Sequence, residues 1–255
     1  FDVGRDHVAV VTLNRPEAMN AWNDQMAEEL AWAWGTIRDD PSVHAVILQA
    51  NGDRAFCTGA DTKGGATWFF DRENVWNSND PGMTLSPKLH HRCWKPVVTA
   101  VHGLCAGGAQ YFLNESDIII CSDDAEFFDP HANAGIVSAL EPIGMLARGV
   151  PIGDVLRWAL MGTEERISAL TALRLGLVTE VVPRAELRSR AREIAASIAA
   201  RNPLAVQGTV RAIWESIDMT RTMALQNGMA YTHIGNPPLS ERRSERRRND
   251  PPTYR

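Results

Sequence analysis

The stretches AFCTGAD (residues 55–61) and HGLCAGGAQ (residues 102–110) decide the fold of this chain. Each comes after a run of β-branched and apolar residues, 45–49 and 96–101, that predicts a buried strand. The glycines let a ligand approach backbone N–H groups just beyond a strand end. Two such donors aimed at one point would form an oxyanion hole, which stabilises negative charge developing on a carbonyl oxygen. Glycine turns also occur as plain connections in α/β proteins, so the surrounding residues must decide.

The composition is that of an ordinary globular protein. The chain has 255 residues, of which 44% are hydrophobic and 22% charged, and its net charge is −5. This length allows one or at most two domains with a sizeable core. No uninterrupted apolar stretch reaches the roughly 20 residues of a membrane helix, and no secretory leader is visible. We therefore expect a cytoplasmic protein without a membrane partner or a general affinity for polyanions such as nucleic acid.

The four cysteines, Cys57, Cys93, Cys105 and Cys121, lie in or beside apolar segments and show no CxxC pairing. A zinc or redox site is the alternative interpretation, but buried reduced thiols fit this pattern better. The sequence therefore predicts no metal site, and a reducing compartment suits it.

Apolar runs with turn signals between them predict alternating strands and helices. The predicted strands are 8–13, 45–49, 96–101 and 117–121, and the predicted helices between them are 22–37 and 107–114. This alternation is typical of right-handed crossovers on a parallel sheet.

From Pro142 onward the pattern is mainly helical, interrupted by a predicted strand at 178–182. The predicted helices are 143–148, 153–161, 169–175, 184–200, 204–217 and 220–234. We therefore expect a β-rich core over residues 1–185 that carries the ligand site, and a helical C-terminal region over residues 186–255.

Several motifs in series resemble the crotonase (enoyl-CoA hydratase/isomerase) superfamily, over about residues 3–235. The motifs are LNRPEAMNA (13–21), FCTGAD (56–61), AVHG with the following GG (100–108), DIII (117–120) and RISA through GLVTEVV (166–182). The resemblance implies an α/β fold with a crotonase-like ββα spiral core and a helical C-terminal trimerisation region. It also implies a homotrimer or a dimer of trimers, an acyl-CoA thioester as substrate, and no cofactor beyond the coenzyme A that the substrate carries.

The resemblance also assigns roles to residues. The oxyanion donors fall on the backbone N–H groups of Ala60 and Gly108. The coenzyme A contacts fall on Ala18, Met19, Thr58, Gly59, Ala60, Thr62 and Gly107. Extended backbone can hydrogen bond an adenine without specific side chains, so the residue types there are free to vary.

The chain departs from the family at the acid–base residues. Hydratases of this family hold and deprotonate a water with two glutamates, and the corresponding positions here are Tyr111 and His131. The nearby candidates that replace the pair are Asp129, His131 and Glu141. Histidine acts as an acid or base near neutral pH, and a carboxylate on its second nitrogen fixes the tautomer. Tyr111 either donates a hydrogen bond or packs, and Asp129 either orients the imidazole or is structural.

Glu141 has two interpretations. Because proline suits the first helical turn, the Glu141-Pro142 pair predicts a helix beginning at Pro142 with Glu141 as its cap, where a carboxylate stays ionised. Alternatively, Ser138 to Glu141 matches a capping box, which would give Glu141 a structural role. The first interpretation leaves the carboxylate available as a base, an orienting group or a nucleophile.

Two further segments carry open alternatives. Trp68, Phe69 and Phe70, in a predicted loop over 64–82, either wall an acyl pocket or pack in the ordinary way. The arginine-rich tail after Pro237 either contacts coenzyme A phosphates or is a solvated segment.

Three functions are compatible with these residues. The first is hydratase or isomerase chemistry on an enoyl-CoA through a thioester enolate. The second is hydrolysis of a β-dicarbonyl C–C bond or of the thioester by His131 with a carboxylate. It is suggested by the run Pro130-His131 through Gly135-Ile136-Val137, which resembles a histidine-using branch of the superfamily. The third is a non-catalytic oligomeric or RNA-binding relative.

Overall fold

A computed structural model describes residues 1–63, 66 and 80–236. The predictions for Trp68, Phe69 and Phe70 and for the arginine-rich tail lie outside the described residues.

The strands follow the predicted apolar runs closely. Their bounds are β1 Asp2–Val3, β2 Val8–Leu13, β3 Ala45–Ala50, β4 Ala55–Cys57, β5 Val97–Val101, β6 Leu104–Ala106, β7 Ile118–Ser122, β8 Glu126–Phe128, β9 Ile167–Ser168 and β10 Glu180–Val182. The strands predicted at 8–13, 45–49, 96–101 and 117–121 are therefore confirmed to within a residue, and the one at 178–182 is shorter.

These strands form two sheets within the described part of the chain. The larger sheet has the order β1-β2-β3-β5-β7-β10, and the smaller has the order β4-β6-β8-β9. Neighbouring strands are parallel except for β1 with β2 and β8 with β9. The predicted parallel sheet is thus confirmed. Because β4 and β6 are parallel neighbours, the two glycine loops that follow them leave the same edge of the smaller sheet.

The described helices connect and flank the sheets. Their bounds are α1 Asp24–Asp39, α2 Gly82–Leu85, α3 Gln110–Asn114, α4 Leu140–Ala147, α5 Ile152–Met161, α6 Ala169–Leu175, α7 Leu187–Ala199, α8 Pro203–Ser216 and α9 Arg221–Gly235. The helix predicted at 107–114 consists of a 3₁₀ turn, Gly107–Ala109, followed by α3.

The start of α1 differs from the prediction of residue 22. Asn23 is its N-cap, and its side-chain oxygen accepts a hydrogen bond from the Met26 N–H at 3.0 Å. This cap satisfies one of the N–H groups that have no partner at a helix start. Trp22 therefore lies outside the helix, directly before its N-cap.

The predicted register around Glu141 is wrong. Helix α4 begins at Leu140, its N-cap is Ala139, and no side chain caps it. Glu141 is the second helical residue rather than the cap, and Ser138 does not form a capping box. Pro142 is tolerated at the third position because the first N–H groups of a helix lack intrahelical partners.

The larger sheet is covered on both faces. One face packs against α7, where Ala191, Ala195 and Ala199 meet Val8, Ala45 and other strand residues. The other face joins α1 and the smaller sheet in a larger apolar cluster.

The four cysteines are free and buried, as predicted. Burial raises the pKa of Cys57 to about 12, so this thiol stays protonated.

Helices α8 and α9 differ from α7, since no residue of α8 is buried. They pack on each other and contact the rest of the protein through polar groups, such as the hydrogen bond from Trp214 Nε1 to Asp117 Oδ1 at 2.6 Å.

The division of the chain into two regions at residue 185 stays a prediction. Within the described residues, none of the helices combines the length and apolarity needed to cross a bilayer.

Candidate active site

The first glycine loop follows β4 and is held by Trp22. The Trp22 N–H donates to the Gly59 carbonyl at 2.9 Å, and the Asp61 N–H donates to the Trp22 carbonyl at 2.9 Å. Because a trans peptide is planar, the N–H of Ala60 points opposite to the Gly59 carbonyl, away from the Trp22 backbone. The loop needs glycine at position 59, where φ is +85°.

The second glycine loop follows β6 and turns directly into α3. Gly107 has a φ of +52°, and the Gln110 N–H donates to the carbonyls of Gly107 and Gly108. The Gly107 carbonyl therefore points along the helix, and the Gly108 N–H of the same peptide points back from its N-terminal end. That end carries partial positive charge, which favours a developing oxyanion.

The two loops touch each other. A Cβ placed on Gly59 would lie 2.9 Å from the Gly108 nitrogen and 3.1 Å from the Ala106 carbonyl oxygen, and one placed on Gly108 would lie 3.4 Å from the Gly59 Cα. A side chain at position 59 would force the loops apart, so glycine at this position is what permits their approach.

A cavity of about 880 Å³ lies against both loops. Its wall includes the sequence-predicted residues Ala18, Met19, Thr58, Gly59, Ala60, Thr62, Gly107, Gly108, Tyr111, His131 and Glu141. Asp129 is the remaining predicted residue, and it lies behind the wall with no exposed surface. The residues singled out in distant parts of the sequence are thus assembled around one volume.

His131 is fixed by the carboxylate of Asp129. The imidazole Nδ1 forms a short hydrogen bond with Asp129 Oδ1, and the same oxygen accepts the His131 backbone N–H at 3.1 Å. The other oxygen, Asp129 Oδ2, is buried and has no hydrogen-bond partner within the described residues. The Asp129 hydrogen bond raises the pKa of His131, although partial burial opposes this effect. The dyad leaves Nε2 as the ring nitrogen available for chemistry.

Glu141 faces that nitrogen from the first turn of α4. Its Oε1 lies 3.8 Å from His131 Nε2, and its side chain is 7% exposed. Burial raises the pKa of Glu141, while its own backbone N–H, His131 and a hydrogen bond from the Tyr111 side chain pull the pKa down. A carboxylate and an imidazole, each with a raised pKa, therefore share one wall of the cavity.

The elements that carry Tyr111 and Glu141 are joined directly. Asn114, at the end of α3, donates from Nδ2 to the Glu141 carbonyl at 3.0 Å and accepts from Gln110 Nε2 at 3.0 Å. Gly144 packs so tightly on the Asn114 side chain that any Cβ there would collide with it. These contacts fix where α4 presents its carboxylate.

The imidazole also lies beside the second glycine loop. A Cβ on Gly107 would come within 3.5 Å of His131 Cε1 and 3.1 Å of Pro130 Cδ. The acid–base group and the loop that carries the Gly108 amide are therefore in contact.

On the opposite side, the turn containing Ala18 and Met19 is held by Asn20. Met19 and Asn20 have φ values of +52° and +54°, which are uncommon for residues with a Cβ. The buried Asn20 amide donates to the carbonyls of Asn51 and Ala55 at 2.8 and 3.0 Å. These bonds maintain the strained turn beside the cavity.

Arg15 connects this turn with the first glycine loop. Its guanidinium forms an ion pair with Asp61 at 3.1 Å, and its backbone N–H donates to Asn20 Oδ1 at 2.8 Å. Sequence reasoning missed the contacts that Arg15, Asn20 and Trp22 make with the turns beside the cavity. The Asn-Arg-Pro signal marked the turn but not its long-range partners.

Known proteins show the family to which the chain belongs. The family model for enoyl-CoA hydratase/isomerase matches residues 4–234. An (E)-benzylidenesuccinyl-CoA hydratase of Thauera aromatica is 33% identical over 237 residues, with 90% of this chain and 86% of the relative covered. A short-chain-enoyl-CoA hydratase of Clostridium acetobutylicum is 36% identical over 209 residues, covering 81% and 77%. The crystal structure of an enoyl-CoA hydratase/isomerase from Mycobacterium paratuberculosis superposes with a TM-score of 0.80 at 35% identity, covering 91% and 87%.

The chain belongs to the enoyl-CoA hydratase/isomerase family, and the crotonase-like α/β fold with its helical C-terminal region is confirmed. It is an enzyme of the hydratase/isomerase class, and its relatives act on coenzyme A thioesters.

Proposed function

We propose that this enzyme adds water to the double bond of an enoyl-CoA thioester, or removes it in the reverse direction, with a histidine–glutamate pair in place of two glutamates. The backbone N–H groups of Ala60 and Gly108 hold the thioester oxygen. The observation that carries the proposal is the single cavity that both amides share with Tyr111, His131 and Glu141. Acids and bases beside an oxyanion hole are what enolate chemistry requires.

The proton transfers balance with these residues. The Glu141 carboxylate takes a proton from water as the water oxygen bonds to the β-carbon, and the C=C electron pair moves to give an enolate. Its oxygen lies between the amides of Ala60 and Gly108. The protonated Nε2 of His131 then delivers a proton to the α-carbon. Glu141 passes its proton to Nε2 through a water molecule that bridges the 3.8 Å between the two groups, so one water is added to the substrate and no proton is left over.

Asp129 and Tyr111 support the pair. Asp129 holds the imidazole by Nδ1 and favours the imidazolium that must act as the acid. Tyr111 stands where the family has a glutamate, and its hydrogen bond to Glu141 favours the ionised carboxylate.

Coenzyme A would lie along the cavity wall formed by Ala18, Met19, Thr58, Thr62 and Gly107. These residues contribute extended or turning backbone, which supports binding of the adenine and pantetheine through main-chain groups. The proposal includes no cofactor beyond the coenzyme A of the substrate. The names of the relatives support an unsaturated acyl group or its hydrated form.

We also propose that the chain assembles as a homotrimer or a dimer of trimers in the cytoplasm. Large apolar side chains on α8 and α9 are exposed in the single chain, among them Leu204 at 69%, Ile213 at 61% and Leu225 at 63%. Exposed apolar surface of this extent on two adjacent helices is typical of a protein interface.

A second candidate function is hydrolysis, and the Asp129–His131 dyad favours it. A carboxylate on Nδ1 with Nε2 facing a cavity is the arrangement that activates a water in hydrolytic triads. The same oxyanion amides would stabilise attack on a thioester or on one carbonyl of a β-dicarbonyl compound.

One product screen tests these functions. Purified protein is incubated with an enoyl-CoA, a 3-hydroxyacyl-CoA, a β-ketoacyl-CoA and a free cyclic β-diketone, and the products are separated by mass. The proposal predicts a gain of 18 mass units on the enoyl-CoA, corresponding to one added water, that is lost in His131→Ala. Thioester loss or ring cleavage without hydration would replace the proposal with the hydrolytic function.

A further inference from the structure

Trp22 occupies an unusual place between the two glycine loops. It precedes the N-cap of α1, is 1% exposed, and lines the same cavity as the loops. Sequence periodicity assigned it to a helix, and neither the glycine motifs nor the acid–base set includes it.

The backbone of Trp22 orients the first loop. Its N–H and carbonyl form a parallel bridge to Ala60 through Gly59 and Asp61, with both hydrogen bonds at 2.9 Å. The carbonyl of the Gly59–Ala60 peptide is thereby occupied, which polarises the N–H at the other end of the same peptide.

The side chain of Trp22 supports the second loop. A Cβ placed on Gly108 would lie 3.0 Å from Trp22 Nε1 and 3.4 Å from Trp22 Cζ2. The indole edge therefore lies directly beneath the Gly108 backbone, at the distance of close packing. One residue thus holds the peptide of Ala60 by its main chain and contacts Gly108 by its ring.

We propose that Trp22 is a positioning residue that sets the spacing between the two oxyanion amides. This inference rests on the proposed function, since it concerns the amides that would hold the thioester oxygen. The strands β4 and β6 fix where the two loops begin. Beyond the strand ends, Gly59 and Gly108 carry no side chains that could set the distance between the two loop backbones. The indole supplies a rigid surface for this purpose, and a smaller ring leaves Gly108 free to shift.

The first test replaces Trp22 with phenylalanine, which keeps the backbone bridge and removes the indole edge. Misplacing a reacting group by about 1 Å costs on the order of a hundredfold in rate, so kcat should fall about tenfold to a hundredfold, with KM within about twofold. Trp34→Phe is the matched control. Trp34 is fully buried in α1, bonds to the Leu85 carbonyl at 3.0 Å and does not line the cavity. That control should lose thermal stability and keep kcat.

The second test measures carbonyl polarisation in the bound state, which a general packing defect would not change. The probe is an arylacryloyl-CoA whose absorption moves to longer wavelength when its thioester carbonyl is polarised. The wild-type complex should show this shift, Trp22→Phe should show a smaller one, and Trp34→Phe should match the wild type.

The third test combines variants. Gly108→Ala should lower kcat because its methyl group would lie only 3.0 Å from Trp22 Nε1, and in Trp22→Phe this contact is relieved, which leaves the Gly59 Cα at an ordinary contact distance of 3.4 Å. The double variant should therefore be no less active than Trp22→Phe alone. In the Trp34→Phe background, by contrast, Gly108→Ala should lower kcat by the same factor as in the wild type, because independent sites add in free energy.

The outcomes separate the two proposals. A wild-type complex without the absorption shift would refute the proposed oxyanion hole, and with it the role of Trp22. A shift that is present in the wild type and unchanged in Trp22→Phe, or losses that multiply in the double variant, would overturn the role of Trp22 alone.

Discussion

The Nε2 atom of His131 and the Oε1 atom of Glu141 lie 3.8 Å apart on the wall of the cavity. The two residues come from different elements, the turn after β8 and the first turn of α4. The pKa of Glu141 is raised by burial and that of His131 by the Asp129 hydrogen bond. A histidine and a glutamate, both perturbed by their surroundings, therefore face each other across a short gap, as expected of groups that take part in acid–base chemistry.

Removing the imidazole should strongly reduce turnover. We expect His131→Ala to lower kcat/KM for the hydration reaction by about 10² to 10⁴, the contribution typical of a positioned acid or base. His44→Ala is the matched control, since His44 is half-buried, bonds to the Ala199 carbonyl at 3.0 Å and does not line the cavity. Oligomer size by gel filtration should be the same in both. Unchanged kcat/KM in His131→Ala would remove His131 from the mechanism.

Replacing Asp129 should move the pH profile. The mechanism needs a protonated His131, so kcat/KM falls as pH rises through the pKa of His131. Asp129 raises that pKa, and Asp129→Asn should therefore shift the basic limb to lower pH as well as reduce the maximum. The measurement is kcat/KM from pH 5 to 10. A basic limb that stays in place would show that Asp129 does not tune the imidazole.

Glu141→Gln should lower the hydration activity and raise the thermal stability of the protein at pH 7. The native pKa of Glu141 is raised, so the folded protein binds this proton more tightly than the unfolded chain does. Stability is therefore lost as pH rises from the ordinary glutamate pKa, about 4.3, to the native value, and it stays lost above that value.

Glutamine removes this penalty, so the Tm of Glu141→Gln should exceed that of the wild type at pH 7, and the difference should shrink at pH 4. Hydration by the variant should fall by about 10² or more, because the base is gone. A lower Tm at pH 7 would mean that the ionised carboxylate stabilises the fold.

Glycine at position 59 should be required for activity but not for the fold as a whole. Its φ of +85° and the 2.9 Å approach to the Gly108 nitrogen leave no room for a methyl group. We expect Gly59→Ala to lower kcat by about 10² to 10³, as when an oxyanion donor is lost. Gly153→Ala, in α5 with nothing near its Cβ position, should be neutral or slightly stabilising. Equal activity of the two variants would contradict the role of the first loop.

The sequence predicted most of the framework because the signals for it are local. Strand β2 and its neighbours are short β-branched runs between turn residues, and the glycine loops carry their own conformational requirement. The candidate site residues that line the cavity were named from the motifs of the family that surround them.

The parts that the sequence did not predict depend on contacts between distant residues. Helix α4 begins at Leu140, two residues before the predicted start, and proline is tolerated at its third position because the first N–H groups of a helix have no intrahelical partners. Asn20 bonds to Asn51 and Ala55 across more than 30 residues, and no local pattern signals this. The role of Trp22 likewise depends on two loops whose approach is defined only in the folded chain.

Isotope-edited infrared spectroscopy of a bound acyl-CoA tests the central claim most directly. With ¹³C at the thioester carbonyl, the difference spectrum isolates the C=O stretch of the bound ligand. Two amide donors should lower its frequency relative to the same thioester in water, and Gly59→Ala should move it back towards the water value. A ligand bound to the wild type with an unshifted stretch would contradict the account that the amides of Ala60 and Gly108 hold the thioester oxygen.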